Sequence, residues 1–402
     1  MNLKEIDYKP LLRLKEYCEN RNFKGYDVGD GAEAWLMRKT PLKKSAFFRF
    51  LFVQLTGHRL AFINLRPLLG IKTYHNAKGI ALFLNAYCNI YEVVKAGNDL
   101  GLSEDKLIND INRLADLLIN LGNRKYGGIG WGYPIVWQST DFCFPPDTPT
   151  AVASSFAVDA LFHAYEITKI EKYKDTALEC ADFVVSSLGR QKEEKGGFYF
   201  TYSPIPGNNG VFNASMLACR ILLQCNKYKT NPNNVDLARQ AMSTCVKEQK
   251  EDGSWVYGIL PKQKWIDNFH TGYNLEALWE YQVLTGDLQY SNQLAKGADF
   301  MIKNHFDENH VPKYFHNKQF PIDIHCCGEI FVVLNKLGLF EQNEQLADDV
   351  YLWTIDNMQD RRDGYFYFQK RKHILNRASL MRWSNAFMMN ALSYYLKSKA
   401  GL

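Results

Sequence analysis

Between Ala34 and Tyr91 the 402-residue chain has no aspartate or glutamate, while Arg38, Lys39, Lys43, Lys44, Arg49, Arg59, Arg66, Lys72 and Lys78 accumulate there around Phe47, Phe48, Phe50, Phe52 and Phe62. No run in this span reaches about 18 uncharged apolar residues, which excludes a bilayer-crossing helix from it. Nor does a groove-entering element accompany the charge, and no nucleic-acid partner is expected. CxxC and HExxH patterns are absent, and Cys326 and Cys327, beside His325, would point about 100° apart on a helix. No metal or cofactor is therefore expected. The nine cysteines are an odd number scattered mainly over helical segments, the usage of buried thiols in a reducing compartment. The first residues, MNLKEIDYK, carry charge where a secretory signal needs an apolar stretch, so no export signal is expected and a cytoplasmic location is. No Pro/Gly/Ser linker interrupts the C-terminal two-thirds, and one domain spanning 1–402 is expected, with an irregular basic, aromatic segment at 21–74.

What is present is a repeat. Aromatic, glycine-bearing turns recur as GGIGWGYP (127–134), GGFYFTYSP (196–204), DGSWVYG (252–258), HVPKYF (310–315) and DGYFYF (363–368). Trp131, Phe198, Trp255, Tyr314 and Tyr365 mark them at intervals of 67, 57, 59 and 51 residues. Between the turns two kinds of helix alternate. Segments 102–121, 172–188, 235–249, 290–305 and 345–358 are amphipathic. Segments 77–94, 150–168, 214–227, 271–284, 324–337 and 380–396 are apolar nearly all round, as buried helices are. A sixth outer position is open, and 4–20 has the pattern to fill it, with Pro10 marking a kink or a late helix start. The expected fold is all-α: an (α/α)6 toroid, or six-hairpin barrel, whose aromatic loops gather at one end.

At that end polar residues stand at the mouths of the inner helices: His75, Asn76, Asp147, Thr148, Asn213, Ser215, Asp267, Asn268, His270, Thr271, Asp323, His325, Arg377, Arg382 and Trp383. Asp147, Asn213 and Asp323 are plausible helix caps. Capping does not account for His270 and His325, each two to three residues past a helix-initiating aspartate in consecutive repeats. Trp131, Trp137, Tyr202, Trp255, Tyr257 and Tyr314 crowd the same loops, and their polar atoms want partners. A cup of Trp and Tyr floored by carboxylates, amides, imidazoles and guanidinium groups suits a sugar.

The element QKEDGSW (249–255) resembles the QxxDGSW turn of squalene cyclase and prenyltransferase β-subunit repeats, and WIDNFHTGYNLEAL (265–278) resembles their helix starts. A DxDD acid motif is missing, and Asp141 with Cys143 stands in no matching context for a prenyltransferase zinc site, so neither chemistry carries over. RPLLGI (66–71), PPDTPTAVASSFAVDAL (145–161), DNFHTGYNLEALWEY (267–281), PIDIH (321–325) and MRW (381–383) are, in that order, similar to bacterial toroid proteins of capsule and exopolysaccharide biosynthesis. More distantly the chain resembles glucuronyl C5-epimerases, N-acylglucosamine 2-epimerases and uronate lyases. That resemblance implies an oligo- or polysaccharide substrate.

Two chemistries fit these residues. Proton abstraction at a uronate C5 needs a group to neutralise the carboxylate (Arg382 or Arg377 with Asn268), a base (His270) and an acid on the opposite face (Tyr257, Tyr273 or Tyr314). Hydrolysis needs two carboxylates, for which Asp147, Asp267 and Asp323 are candidates. A non-catalytic glycan-binding or assembly role is the third reading. The basic segment suggests peripheral contact with an anionic inner membrane.

Overall fold

A computed structural model describes residues 7–57, 64–139, 142–193 and 196–402. Helix α1 (Lys9–Glu19) carries Pro10 in its first turn, where a missing N–H costs nothing. Residues 4–6 of the expected first helix lie outside the described residues. Helices α2 (Trp35–Lys39) and α3 (Ala46–Gly57) follow. The rest of the chain alternates as expected: α4 (Ala77–Lys95), α5 (Glu104–Asn120), α6 (Ala151–Thr168), α7 (Glu171–Ser187), α8 (Phe212–Tyr228), α9 (Pro232–Val246), α10 (Asn268–Thr285), α11 (Ser291–Asn304), α12 (Ile324–Lys336), α13 (Glu344–Met358) and α14 (Phe387–Lys399). Helices α4, α6, α8, α10, α12 and α14 pack each on the next, and α14 returns to α4, closing a ring. Around it α5, α7, α9, α11 and α13 each pack on the inner helix that precedes them, and α1 packs on α14.

The aromatic turns are partly short strands, which an all-helical reading omits. These are β1 (Trp137–Gln138) with β2 (Cys143–Phe144), β3 (Arg190–Lys192) with β4 (Phe198–Phe200), and β5 (Ile322–Asp323), β6 (Tyr367–Lys370) and β7 (Leu375–Ser379) in one antiparallel sheet. Isolated bridges such as Val211 to Gly258 and Asp267 to Phe315 join neighbouring connections, so the loops form a laced belt at one end of the ring.

The inner helices are less apolar than their patterns suggest. Arg220 on α8 bonds Asp159 and Glu280 at 2.7 Å, and Lys336 on α12 bonds Glu276 at 2.7 Å and Glu280 at 3.3 Å. These groups meet inside the ring, where only pairing makes burial of charge tolerable. Burial and the neighbouring Glu276 hold the Glu329 carboxyl well above its usual range.

The segment after α1 folds over one end of the ring as a cap. A small core of Ala34, Met37 and Ile71, flanked by Tyr26, Leu42, Phe48, Phe52 and Leu69, holds it together. Gly31 is needed there: a Cβ would lie 2.2 Å from the Phe52 carbonyl oxygen, so α3 approaches this turn only because no side chain intervenes. Arg66 reaches Asp30 at 2.8 Å and is fully buried. Arg59 and Phe62 lie outside the described residues.

Candidate active site

Beneath the cap, at the end where the inner helices begin, is a cavity of about 310 Å³. The cap contributes Val28, Gly29, Phe50, Val53 and Gln54, and the belt contributes Tyr133, Trp137 and Tyr202. The helix mouths supply Lys78, Asn213, Phe269, His270, Tyr273, His325, Arg382 and Trp383, and Tyr257 and Tyr314 complete the aromatic wall. A shallower groove of about 520 Å³ continues outward past Trp137, Tyr257 and His270 to Asn208, Gln263 and Trp265. Tyr257 and Trp265 stack there at 4.6 Å with planes 14° apart, leaving a half-exposed indole face along the groove.

The two Asp-to-His motifs fold differently because their spacing differs by one residue. Asp267 caps α10 by accepting the His270 N–H at 3.0 Å, and the three-residue offset brings the imidazole back so that Nδ1 lies 2.8 Å from Oδ2. The Trp265 indole donates to the same oxygen at 2.9 Å. A carboxylate at Nδ1 fixes the proton on that nitrogen and leaves Nε2 as the basic one. Burial opposes charge on Asp267, yet the His270 imidazole and its N–H bonds hold its carboxyl below the usual range.

Asp323 caps α12 through the His325 N–H at 3.1 Å, but its side chain is taken by the Trp383 indole at 2.8 Å. His325 is instead sandwiched between Trp383 at 4.1 Å and Phe387 at 3.8 Å. Burial, then the nearby cations Lys78 and Arg382, push its pKa well below the usual value, so the ring is neutral. Burial pushes the Asp323 carboxyl up to about 7, against hydrogen bonds that favour its charged form. Phe269 lies between the two imidazoles, 4.2 Å from His270 and 5.0 Å from His325.

Arg382 and Trp383 belong to a π-helical turn, Met381–Ala386, that opens into α14; such turns gather at functional sites. Asp27 of the cap accepts from Arg382 Nε at 2.6 Å and Nη2 at 2.7 Å, and from Asn76 at 2.8 Å. The guanidinium that lines the cavity is therefore already neutralised by the chain.

Of the residues singled out in the sequence, His270, His325, Tyr257, Tyr314, Trp137, Tyr202, Asn213, Arg382 and Trp383 line the cavity. Asp267 and Asp323 stand behind it, supporting His270 and Trp383. Asn268 is fully buried, with no partner for either amide atom among the described residues, and it is not part of the lining.

Trp131 and Trp255 do not line it. Each indole donates to a carbonyl at the end of the preceding outer helix, Leu118 at 2.8 Å and Cys245 at 3.1 Å, so these two repeat positions are packing. Asp147 sits on an exposed turn with φ of 58°, and Thr150, three residues on, is the actual cap of α6. Asn213 lies inside α8 rather than capping it. Arg377 is exposed on β7, with its guanidinium 5.6 Å from the Tyr367 ring.

Sequence reasoning missed Lys78, Phe269 and the support given by Asp27. A signal for Lys78 existed: Asn76 caps α4 and Lys78 stands two residues on, the offset of His325 from Asp323. His75, just before that cap, bonds the Asn22 carbonyl away from the cavity.

No protein-family model and no curated protein matches the sequence. Solved structures do. The chain superposes on cellobiose 2-epimerase from Bacillus thermoamylovorans with a TM-score of 0.58 at 13% identity, over 81% of this chain and 90% of that one. An unsaturated glucuronyl hydrolase specific for heparin gives 0.58 at 13% identity, over 80% and 86%. For a D-mannose isomerase the score is 0.53 at 13% identity, over 79% and 86%. Likeness at this identity establishes a shared α/α-toroid fold.

Proposed function

We propose that the chain is a carbohydrate-active enzyme that removes a proton from a uronic acid residue, as a C5-epimerase or a lyase, in surface polysaccharide biosynthesis. One observation carries this reading. Two imidazoles face the cavity, one of them backed by a buried carboxylate, whereas no aspartate or glutamate is among the described lining residues. The Asp267–His270 pair suits a general base: Nε2 accepts the proton, and the carboxylate stabilises the imidazolium that forms. The resulting enediolate is reprotonated on its other face by a cavity tyrosine such as Tyr314, or expels the C4 substituent. A pair of carboxylates across a sugar, which hydrolysis needs, is not what the lining offers. The fold neighbours, an epimerase, an isomerase and a glucuronyl hydrolase, agree with a saccharide ligand. The groove beside Trp265 accommodates further sugar rings of an oligo- or polysaccharide.

The test is solvent exchange. A uronate-containing glycan incubated in D2O with the protein should gain deuterium at C5, read by NMR, or yield an unsaturated uronate. New reducing ends without exchange would assign hydrolysis instead, and binding without either product would assign a glycan-binding or assembly protein.

The cap supports a cytoplasmic enzyme docked on an anionic membrane. No helix of the described residues is long and apolar enough to cross one. Of the nine basic residues in the acid-free span, Arg66 and Lys78 are buried, Arg49 bonds Gln138, and Arg38, Lys39, Lys43, Lys44 and Lys72 are exposed. Exposed with them are Trp35 (47%), Phe47 (69%) and Leu68 (79%), so the cap presents both apolar and cationic side chains to solvent. Each such cation near an anionic leaflet contributes about 1 kcal/mol. Co-sedimentation with phosphatidylserine vesicles at low salt should exceed that with phosphatidylcholine vesicles and fall as salt is added. Phe47→Ser with Lys43→Glu and Lys44→Glu should abolish the difference. Equal recovery on both vesicles would refute the docking.

A further inference from the structure

Lys78 is the one cavity-lining cation for which the described residues provide no carboxylate within ion-pair distance. It is 4% exposed, at the first turn of α4, and its Nζ donates to the Tyr273 hydroxyl at 3.1 Å. The ammonium otherwise rests on aromatic faces, 4.2 Å from the Phe156 centroid and 4.8 Å from that of Tyr273. Every charged group that faces it is committed elsewhere. Asp27 of the cap holds Arg382 and Asn76, and Glu276 of α10 holds Lys336. Burial beside Glu276 pushes the Glu329 carboxyl of α12 well above its usual range, and no ion pair joins it to Lys78 among the described residues. From the π-helical turn Arg382 adds repulsion, and His325 is neutral.

A buried ammonium without a counterion is costly, and chains rarely leave one unless a ligand supplies the missing charge. No carboxylate is among the described lining residues, so that charge is expected to enter with a ligand. A single lysine on an aromatic floor matches a monoanion; a phosphate dianion would call for a cluster of donors. We infer that Lys78 is the recognition group for a carboxylate carried by the saccharide, so that the substrate class is an acidic sugar and not a neutral one. This rests on the proposed function for the ligand being a sugar. It also deepens it, since a cation at the carboxylate stabilises the enediolate formed when the C5 proton leaves.

The pairing should move a proton. Burial first, then Arg382, lowers the Lys78 pKa to about 7. At about pH 8 the free amine is mostly neutral, and an entering carboxylate raises its pKa and draws a proton from buffer; at about pH 5.5 the amine is already charged and uptake vanishes. Calorimetric titration of the full chain with D-glucuronate in buffers of different ionisation enthalpy should give uptake of about one proton per sugar at the higher pH. D-glucose should give none. Lys78→Met should abolish uptake and weaken glucuronate about 10- to 100-fold with glucose unaffected.

Glucuronate binding without proton uptake by the native protein, or a Lys78→Met protein that keeps its preference for glucuronate, overturns the inference. Tighter binding of D-glucose 6-phosphate overturns the carboxylate assignment in favour of phosphate. Uptake and preference without C5 exchange would sink the proposed reaction and leave Lys78 standing, while exchange without preference does the reverse. Failure of both sugars to bind sinks both.

Discussion

Replacing His270 with alanine is expected to lower turnover by about 10² to 10⁴-fold, the usual contribution of a general acid–base group. Asp267→Asn should follow it, because the amide cannot hold Nδ1 as a donor and stabilise the imidazolium as the carboxylate does. Their double variant should lose little more than the worse single one, since the two act as a unit through the 2.8 Å contact. Asp147→Asn, on an exposed turn outside the cavity, should leave turnover near that of the native protein. Rates of C5 deuterium exchange under saturating glycan measure all four. A hydrolase would reverse the expectation: full exchange-independent cleavage in His270→Ala, and loss on changing an aspartate, would remove the base from His270.

The second large effect concerns stability. Arg220→Ala should cost about 3–5 kcal/mol in urea unfolding, because it leaves Asp159 and Glu280 facing each other in the ring with their shared cation gone. Burial works against charge on Asp159, but Arg220 and Lys336 hold its carboxyl well below the usual range. A carboxyl lowered on folding stabilises the protein above its unfolded pKa, near 4, and loses that contribution as pH falls. The deficit of the variant should therefore be largest near about pH 7 and shrink towards about pH 4, where the stranded carboxylates take up protons. Combining Arg220→Met with Asp159→Asn and Glu280→Gln should recover part of the loss. A deficit under about 1 kcal/mol, the range of an exposed pair, would mean that water reaches this cluster.

Much of the architecture is local in origin and was legible as such. Helical period, small-residue content and turn spacing separate buried from outer helices, since each depends on residues three or four apart. The same locality made the Asp267–His270 pair readable, because a cap and an imidazole three residues on share one turn. The sequence therefore determines the alternation of helices, the end of the ring at which polar residues gather, and the contact of Asp267 with His270 three residues on.

The tertiary structure decided which of those polar residues act on the cavity. Asp323 kept the cap's role its local position gives it, but its side chain went to the Trp383 indole, 60 residues away, and not to the His325 ring. Trp131 and Trp255, aromatic turn residues like Tyr257 and Tyr314, turned inward because a helix-end carbonyl lay within reach of each indole. Arg382 is neutralised by Asp27 across 355 residues, whereas Lys78 has no carboxylate within ion-pair distance among the described residues. Charge pairing depends on which segment lies alongside, and nothing in a local pattern records that. Ring closure and the folding of the cap bring those segments together, and so they alone select the cation left for a ligand.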